Sequence, residues 1–180
     1  MSLHGRKWAE REALVALAGV VAQRKARQEL APLSWMLEAA FHEAAHSVIA
    51  LKTGMFPWVV SIVPNREVKV GKTGHSGGYC HAEYVHPDEA AKATIDNRKD
   101  NERPARNESD FHRAARYSLL LAPSYSWRDG VRTYHALLAK TGELVDEYWI
   151  QIVALAGEIR RNYTLDYAEI RTVIREAEQF

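Results

Sequence analysis

At 180 residues the chain has the length of one domain, or of one domain with an added arm. Its 47% hydrophobic and 26% charged residues exclude wholesale disorder, and 24 Lys+Arg against 23 Asp+Glu give a net charge of +1. No global field therefore draws the protein to nucleic acid or to an anionic membrane, and one cysteine, Cys80, excludes both an internal disulfide and a cysteine-based zinc site.

From about Trp8 to Leu30 the residues Leu14, Leu17, Ala18 and Val21 form one apolar stripe and predict a helix, stopped by Pro32. The apolar run Ala13 to Ala22 is too short to span a bilayer. The charges of Glu10, Arg11 and Glu12 directly before it do not suit a signal peptide, so a cytoplasmic protein with no membrane segment is expected. The basic stretch Arg24 to Arg27 reads as a solvated helix end that complements the helix dipole. Residues 1–32 are thus expected as an N-terminal helical arm on a domain spanning 33–180.

Ser34 suits the N-cap of a second helix, Trp35 to about Lys52, ended by Gly54. After Pro57 the texture changes. Trp58 to Val63 is β-branched, Val68 and Val70 alternate with charges, and Tyr79 to Val85 reads as another strand, so a small sheet of two to four strands is expected. Residues 87–110 are charged and poor in large apolar groups, with a surface loop expected at about 96–109. Helical patterns follow at Phe111 to Leu121, Trp127 to Lys140 (ended near Gly142) and Glu143 to about Arg161. Thr164 caps a last one. The expected fold class is α+β and mostly helical: one helix carrying the key motif beside a small sheet, followed by a C-terminal bundle.

That motif is Phe41-His42-Glu43-Ala44-Ala45-His46, a His-Glu-x-x-His string in helical context. A four-residue spacing sets both imidazoles on one face, one turn apart, where they can share one ion. Glu43, beside the first histidine, can act as the general base toward water activated by that ion. The bland alternative is a helix with two surface histidines and a salt-bridging glutamate. Zinc needs a further protein ligand. An extended His-x-x-Gly-x-x-His site is excluded by Ile49 and Lys52, and Glu67 and Glu83 fall in strand or loop texture. Asp129, in the first turn of a helix within Ser124-Tyr125-Ser126-Trp127-Arg128-Asp129, is the better placed candidate, although the same position also suits helix capping.

AAFHEAAHSVIALKTG resembles the zinc-binding helix of the FtsH-type ATP-dependent zinc metalloproteases. VVSIVPNREVKVGKTGHSGGYCHAEY resembles that family's Val-x-Ile-x-Pro stretch and glycine-flanked edge strand, and ALAGEIRRNYTLDYAEIRTVI resembles its closing segment. The three pieces occur in the family's order and cover most of residues 35–175. The resemblance implies one zinc per chain on His42, His46 and an aspartate opening a helix in a Ser-Asn-Asp-like string, which carries over to Asp129. Two departures stand out: Ala45 replaces the family's glycine, and Leu121 to Ser126 matches poorly the stretch before its aspartate.

The chain also shows no Gly-x-x-x-x-Gly-Lys-Ser/Thr loop, so it would cleave flexible or unfolded protein or peptide, or receive it from a separate unfoldase or adaptor. Gly77, Gly78 and Tyr79 would line an edge strand that receives extended substrate by backbone pairing, with a plain hairpin as the alternative. Two competing functions share the motif: a repressor-cleaving regulatory zinc protease, and a non-catalytic zinc-binding adaptor of the same fold.

Overall fold

The computed structural model describes residues 2–63, 79–83, 109–124 and 126–179. Six helices and three strands are described: α1 (Leu3–Leu30), α2 (Trp35–Lys52), β1 (Phe56–Ser61), β2 (Tyr79–Glu83), α3 (Asp110–Leu121), α4 (Trp127–Glu147), α5 (Trp149–Asn162), β3 (Thr164–Asp166) and α6 (Tyr167–Ala177). The mostly helical α+β class expected from the sequence is what the structure shows.

Except at α5, which follows Tyr148 with no side-chain cap, each helix start follows from a short polar side chain that satisfies an otherwise orphaned amide. Ser2, Ser34, Ser109 and Ser126 accept from Gly5, Leu37, His112 and Asp129 respectively. The last helix is capped by Asp166 rather than Thr164. Asp166 and Glu169 form a reciprocal capping box, with bonds of 3.0 and 2.8 Å. Thr164 instead opens β3, where its hydroxyl meets Ser61 Oγ at 2.8 Å. Gly54 takes a φ of +79° and ends α2 as expected, but Gly142 keeps helical backbone. The run through Thr141 to Glu147 therefore stays in α4, and the break falls at Tyr148.

The sheet order is β2-β1-β3, both pairs antiparallel, with Ser61 opposite Tyr79 on one side and Thr164 on the other. The register shifts between Pro57 and Val59. Pro57, buried and without an amide hydrogen, lies beside an exposed Trp58 at this irregular point of a short strand.

Residues 1–32, expected as an N-terminal helical arm, carry α1, which packs on the rest of the described fold. α1 buries Ala9, Ala13, Leu14, Val15, Leu17, Ala18, Ala22 and Ala26 in the same core as α2, β1 and α5. Alanines on so many positions let α2, α3 and α4 approach α1 closely, and burial of its Leu and Val side chains against them supplies most of what holds it. Gln23 Nε2 and Arg27 Nε reach Glu38 at 3.2 and 2.9 Å, tying the C-terminal end of α1 to the start of α2. On its other side α2 meets α5, with Phe41 stacked on Trp149 at 5.4 Å. The motif helix is thus enclosed by α1 and α5 along its length.

Because α1 is core, Leu17→Ala should lower the unfolding free energy of the whole domain by about 2–5 kcal/mol in one cooperative urea transition. A variant that unfolds at the wild-type urea midpoint would show α1 to be dispensable.

Candidate metal centre

His42 and His46 lie one turn apart on α2, their ring centroids 4.6 Å apart and their planes at 82°. Both Nε2 atoms face the same carboxylate oxygen. Asp110 Oδ2 stands 3.1 Å from His42 Nε2 and 3.2 Å from His46 Nε2. The three side chains each offer one ligand atom, all within 4.8 Å of one another. Asp110 is the first residue of α3. It is held there by the Ser109 cap and favoured by the positive end of the helix dipole.

His46 is fixed from behind. Its Nδ1 lies 2.7 Å from the carbonyl oxygen of Val15 on α1, and a carbonyl can only accept, so Nδ1 carries the proton. A neutral ring then presents a bare Nε2 lone pair to the Asp110 carboxylate. Two acceptors at 3.2 Å attract each other only if a proton or a cation stands between them. Without a metal, that demand falls on protons. Burial alone would push the His46 pKa down, but the charge and hydrogen bonds of Asp110 and the Val15 bond outweigh it and raise it. Burial likewise opposes ionisation of Asp110, yet the two imidazoles hold its carboxyl well below the usual carboxylate range.

A divalent ion meets the same demand with no added proton. Tetrahedral zinc bonds of roughly 2.0–2.1 Å set ligand atoms about 3.3 Å apart, close to the two separations that Asp110 makes. Two imidazoles and a carboxylate also suit zinc by donor type, and a backbone carbonyl behind a ligand histidine is the usual second layer of such sites. His42 and Asp110 keep 21% and 29% of their side chains exposed while His46 keeps 7%, so solvent reaches the centre from the His42–Asp110 side.

Glu43, next to the first histidine on α2, is buried, with its backbone carbonyl accepting from Ser47 Oγ at 3.0 Å. Of the other site residues expected from the sequence, Tyr79 opens β2, which has one neighbour in the described sheet, β1. Gly77 and Gly78 lie outside the described residues, as does all of the expected 96–109 loop except Ser109.

Asp129 is not in the histidine cluster. α3 begins at Asp110 and runs twelve residues, about 18 Å, before the turn that leads into α4, so the start of α4 lies at the far end of α3. There the Asp129 carboxylate accepts from the Ser124 hydroxyl, its amide donates to Ser126 Oγ at 3.2 Å, and Arg132 lies 3.5 Å away. The Ser124 bond foremost lowers its pKa. Its local role is that of an acidic first-turn residue in a capped helix. The signal for Asp110 was present: Ser109-Asp110 opens a helix as Ser126 and Asp129 do, and it fits a Ser-Asn-Asp-like string more closely than Trp127-Arg128-Asp129. Nothing local pointed to Val15.

Comparison with protein-family models, with curated proteins and with solved structures finds no match.

Elemental analysis of the variants separates the two aspartates. Asp110→Ala should lose the bound metal, as His42→Ala should, while Asp129→Ala keeps the wild-type content. Full metal in Asp110→Ala would remove that residue from the centre.

Proposed function

We propose that the chain is a zinc-dependent metallopeptidase with His42, His46 and Asp110 as metal ligands and Glu43 as general base. The observation that carries this reading is the convergence of His42 Nε2, His46 Nε2 and Asp110 Oδ2 on one point, beside a glutamate that immediately follows the first ligand. Zinc bound there would supply Lewis acidity, polarising a peptide carbonyl and bringing the pKa of water toward neutrality.

The protein's own part is proton handling and orientation. Glu43 takes a proton from the water whose oxygen attacks the scissile carbonyl carbon. As the C–N bond breaks, the same carboxyl returns that proton to the leaving amine nitrogen, which makes the reaction a plain hydrolysis with no co-reactant. The Val15 carbonyl holds His46 in one tautomer and orientation, and Asp110 faces the Nε2 atoms of both rings, so that the ligand set is preorganised.

Substrate enters from the His42–Asp110 side. β2, an edge of the described sheet that packs against α2, is the element against which an extended peptide would pair, beginning at Tyr79. The fitting substrate is a flexible or already unfolded protein segment, or one delivered by a separate unfoldase or adaptor, since no phosphate-binding loop stands in these 180 residues. No helix among the described residues is long and apolar enough to cross a membrane. The cytoplasmic setting in this proposal rests on the charges of Glu10, Arg11 and Glu12 before the apolar run Ala13 to Ala22, which do not suit a signal peptide. The likeness of the motif helix and closing segment to FtsH-type proteases supports the same reading.

Glu43→Gln should keep about one zinc per chain and lose hydrolysis of an unfolded protein such as casein by at least about 100-fold, as removal of a general base does. Zinc with no cleavage in the wild type would instead favour an adaptor. Cleavage confined to a single partner would favour the repressor-cleaving alternative. Undiminished cleavage by Glu43→Gln, or iron in place of zinc, would contradict the proposal.

A further inference from the structure

α1 meets the metal centre at a second point. One turn after Val15, at Gly19, the helix backbone faces both ligand rings. A Cβ built on Gly19 would stand 2.6 Å from His42 Cε1, 2.6 Å from His42 Nε2 and 2.6 Å from His46 Nε2. Side-chain carbons essentially never approach other heavy atoms within 3.0 Å. The two nitrogens are the same atoms that converge with Asp110 Oδ2, so even one methyl group at residue 19 would intrude where the ligand lone pairs point.

The missing side chain has no other local reason. Gly19 is buried in the middle of a helix otherwise lined with alanine, and its φ is not positive. Glycine in a helix interior is destabilising relative to alanine. Two other helical glycines, Gly142 and Gly157, have nothing within 4 Å of the corresponding point. Crowding by the two imidazoles is what sets Gly19 apart.

We propose that Gly19 is a positioning residue of the metal centre: by lacking a side chain it lets α1 close against His42 and His46 with both Nε2 atoms turned toward Asp110. This rests on the metal-binding reading of His42, His46 and Asp110. Val15 and Gly19, four residues apart on one face of α1, act together. The carbonyl of the first holds the His46 ring by its rear nitrogen, and the bare Cα of the second leaves the front nitrogens free to converge. α1 is therefore the rear wall of the centre, and residues 1–30 are part of the metal-binding unit.

The test uses the full chain as wild type, Gly19→Ala and the control Gly142→Ala. Zinc affinity is read by chelator competition, ligand geometry by the visible absorption of the cobalt(II)-loaded protein, and metal-free stability by urea unfolding. Wild type and Gly142→Ala should bind zinc equally, whereas Gly19→Ala should bind 10- to 100-fold more weakly, the usual cost of disturbing the support of a ligand histidine. Its cobalt spectrum should change as well. Placed on a His42→Ala/His46→Ala background, the same substitution should be harmless to folding, because the rings that it would strike are gone.

That background also decides the matter if Gly19→Ala alone does not fold. Recovery there supports the proposal, and continued failure overturns it. Zinc affinity for Gly19→Ala within about twofold of wild type would equally overturn it, leaving the metal centre standing. A wild-type protein that binds no zinc would bring down the metal reading itself, and this proposal with it.

Discussion

A single carboxylate oxygen facing two imidazole nitrogens is the constraint around which the domain is arranged. Such a cluster is unfavourable as three bare acceptors and favourable once positive charge stands among them. His46 cannot escape the conflict by changing tautomer, because its other nitrogen is committed to the Val15 carbonyl. His42 and Asp110 are less enclosed, and the open side of the centre is theirs.

Much of the architecture can be understood as the means of holding these three groups still. α2 is clasped between α1 and α5, with alanines on the α1 side and the Phe41–Trp149 stack on the other. Lys25 on α1 lies 5.1 Å over the Trp149 ring and 2.7 Å from Asp146, so the two layers enclosing α2 are also joined to each other. α3, which brings Asp110, is anchored on α1 rather than on α2. Trp8 meets Tyr117 edge to face at 5.2 Å, and Arg6 Nη2 reaches the Leu121 carbonyl at 3.1 Å. α1 therefore positions both halves of the ligand set, the histidines directly and the aspartate through α3. Below this layer, β1 packs under α2 and places the edge strand β2 alongside it, while β3 pairs with the other edge of β1 and meets α5 and α6.

The parts of this account that were legible in the sequence are those with short-range signatures. A four-residue histidine spacing in helical context requires no tertiary information, and a serine before an apolar run marked the helix start at Ser34. The aspartate is different in kind. Asp110 and Asp129 both sit in the first turn of a helix opened by serine, and it is the docking of α3 on α1 that brings Asp110 to the histidines. Asp110 also closes a stretch crowded with acids, which hid it. The burial of α1 was partly legible as a stripe of Leu14, Leu17, Ala18 and Val21. Its alanines favour the helix by propensity alone, and in the fold they are the surfaces that permit close approach. The place of Gly19 against the two imidazoles depends on the packing of α1 on α2 and has no signature in the local sequence.

The most direct test of the metal centre is a crystal structure of the zinc-loaded protein with anomalous diffraction recorded at the zinc edge. The account predicts one strong peak within roughly 2.0–2.2 Å of His42 Nε2, His46 Nε2 and Asp110 Oδ2 together, with its remaining coordination open toward solvent. A peak ligated by Asp129, or no zinc between the two imidazoles, would contradict it.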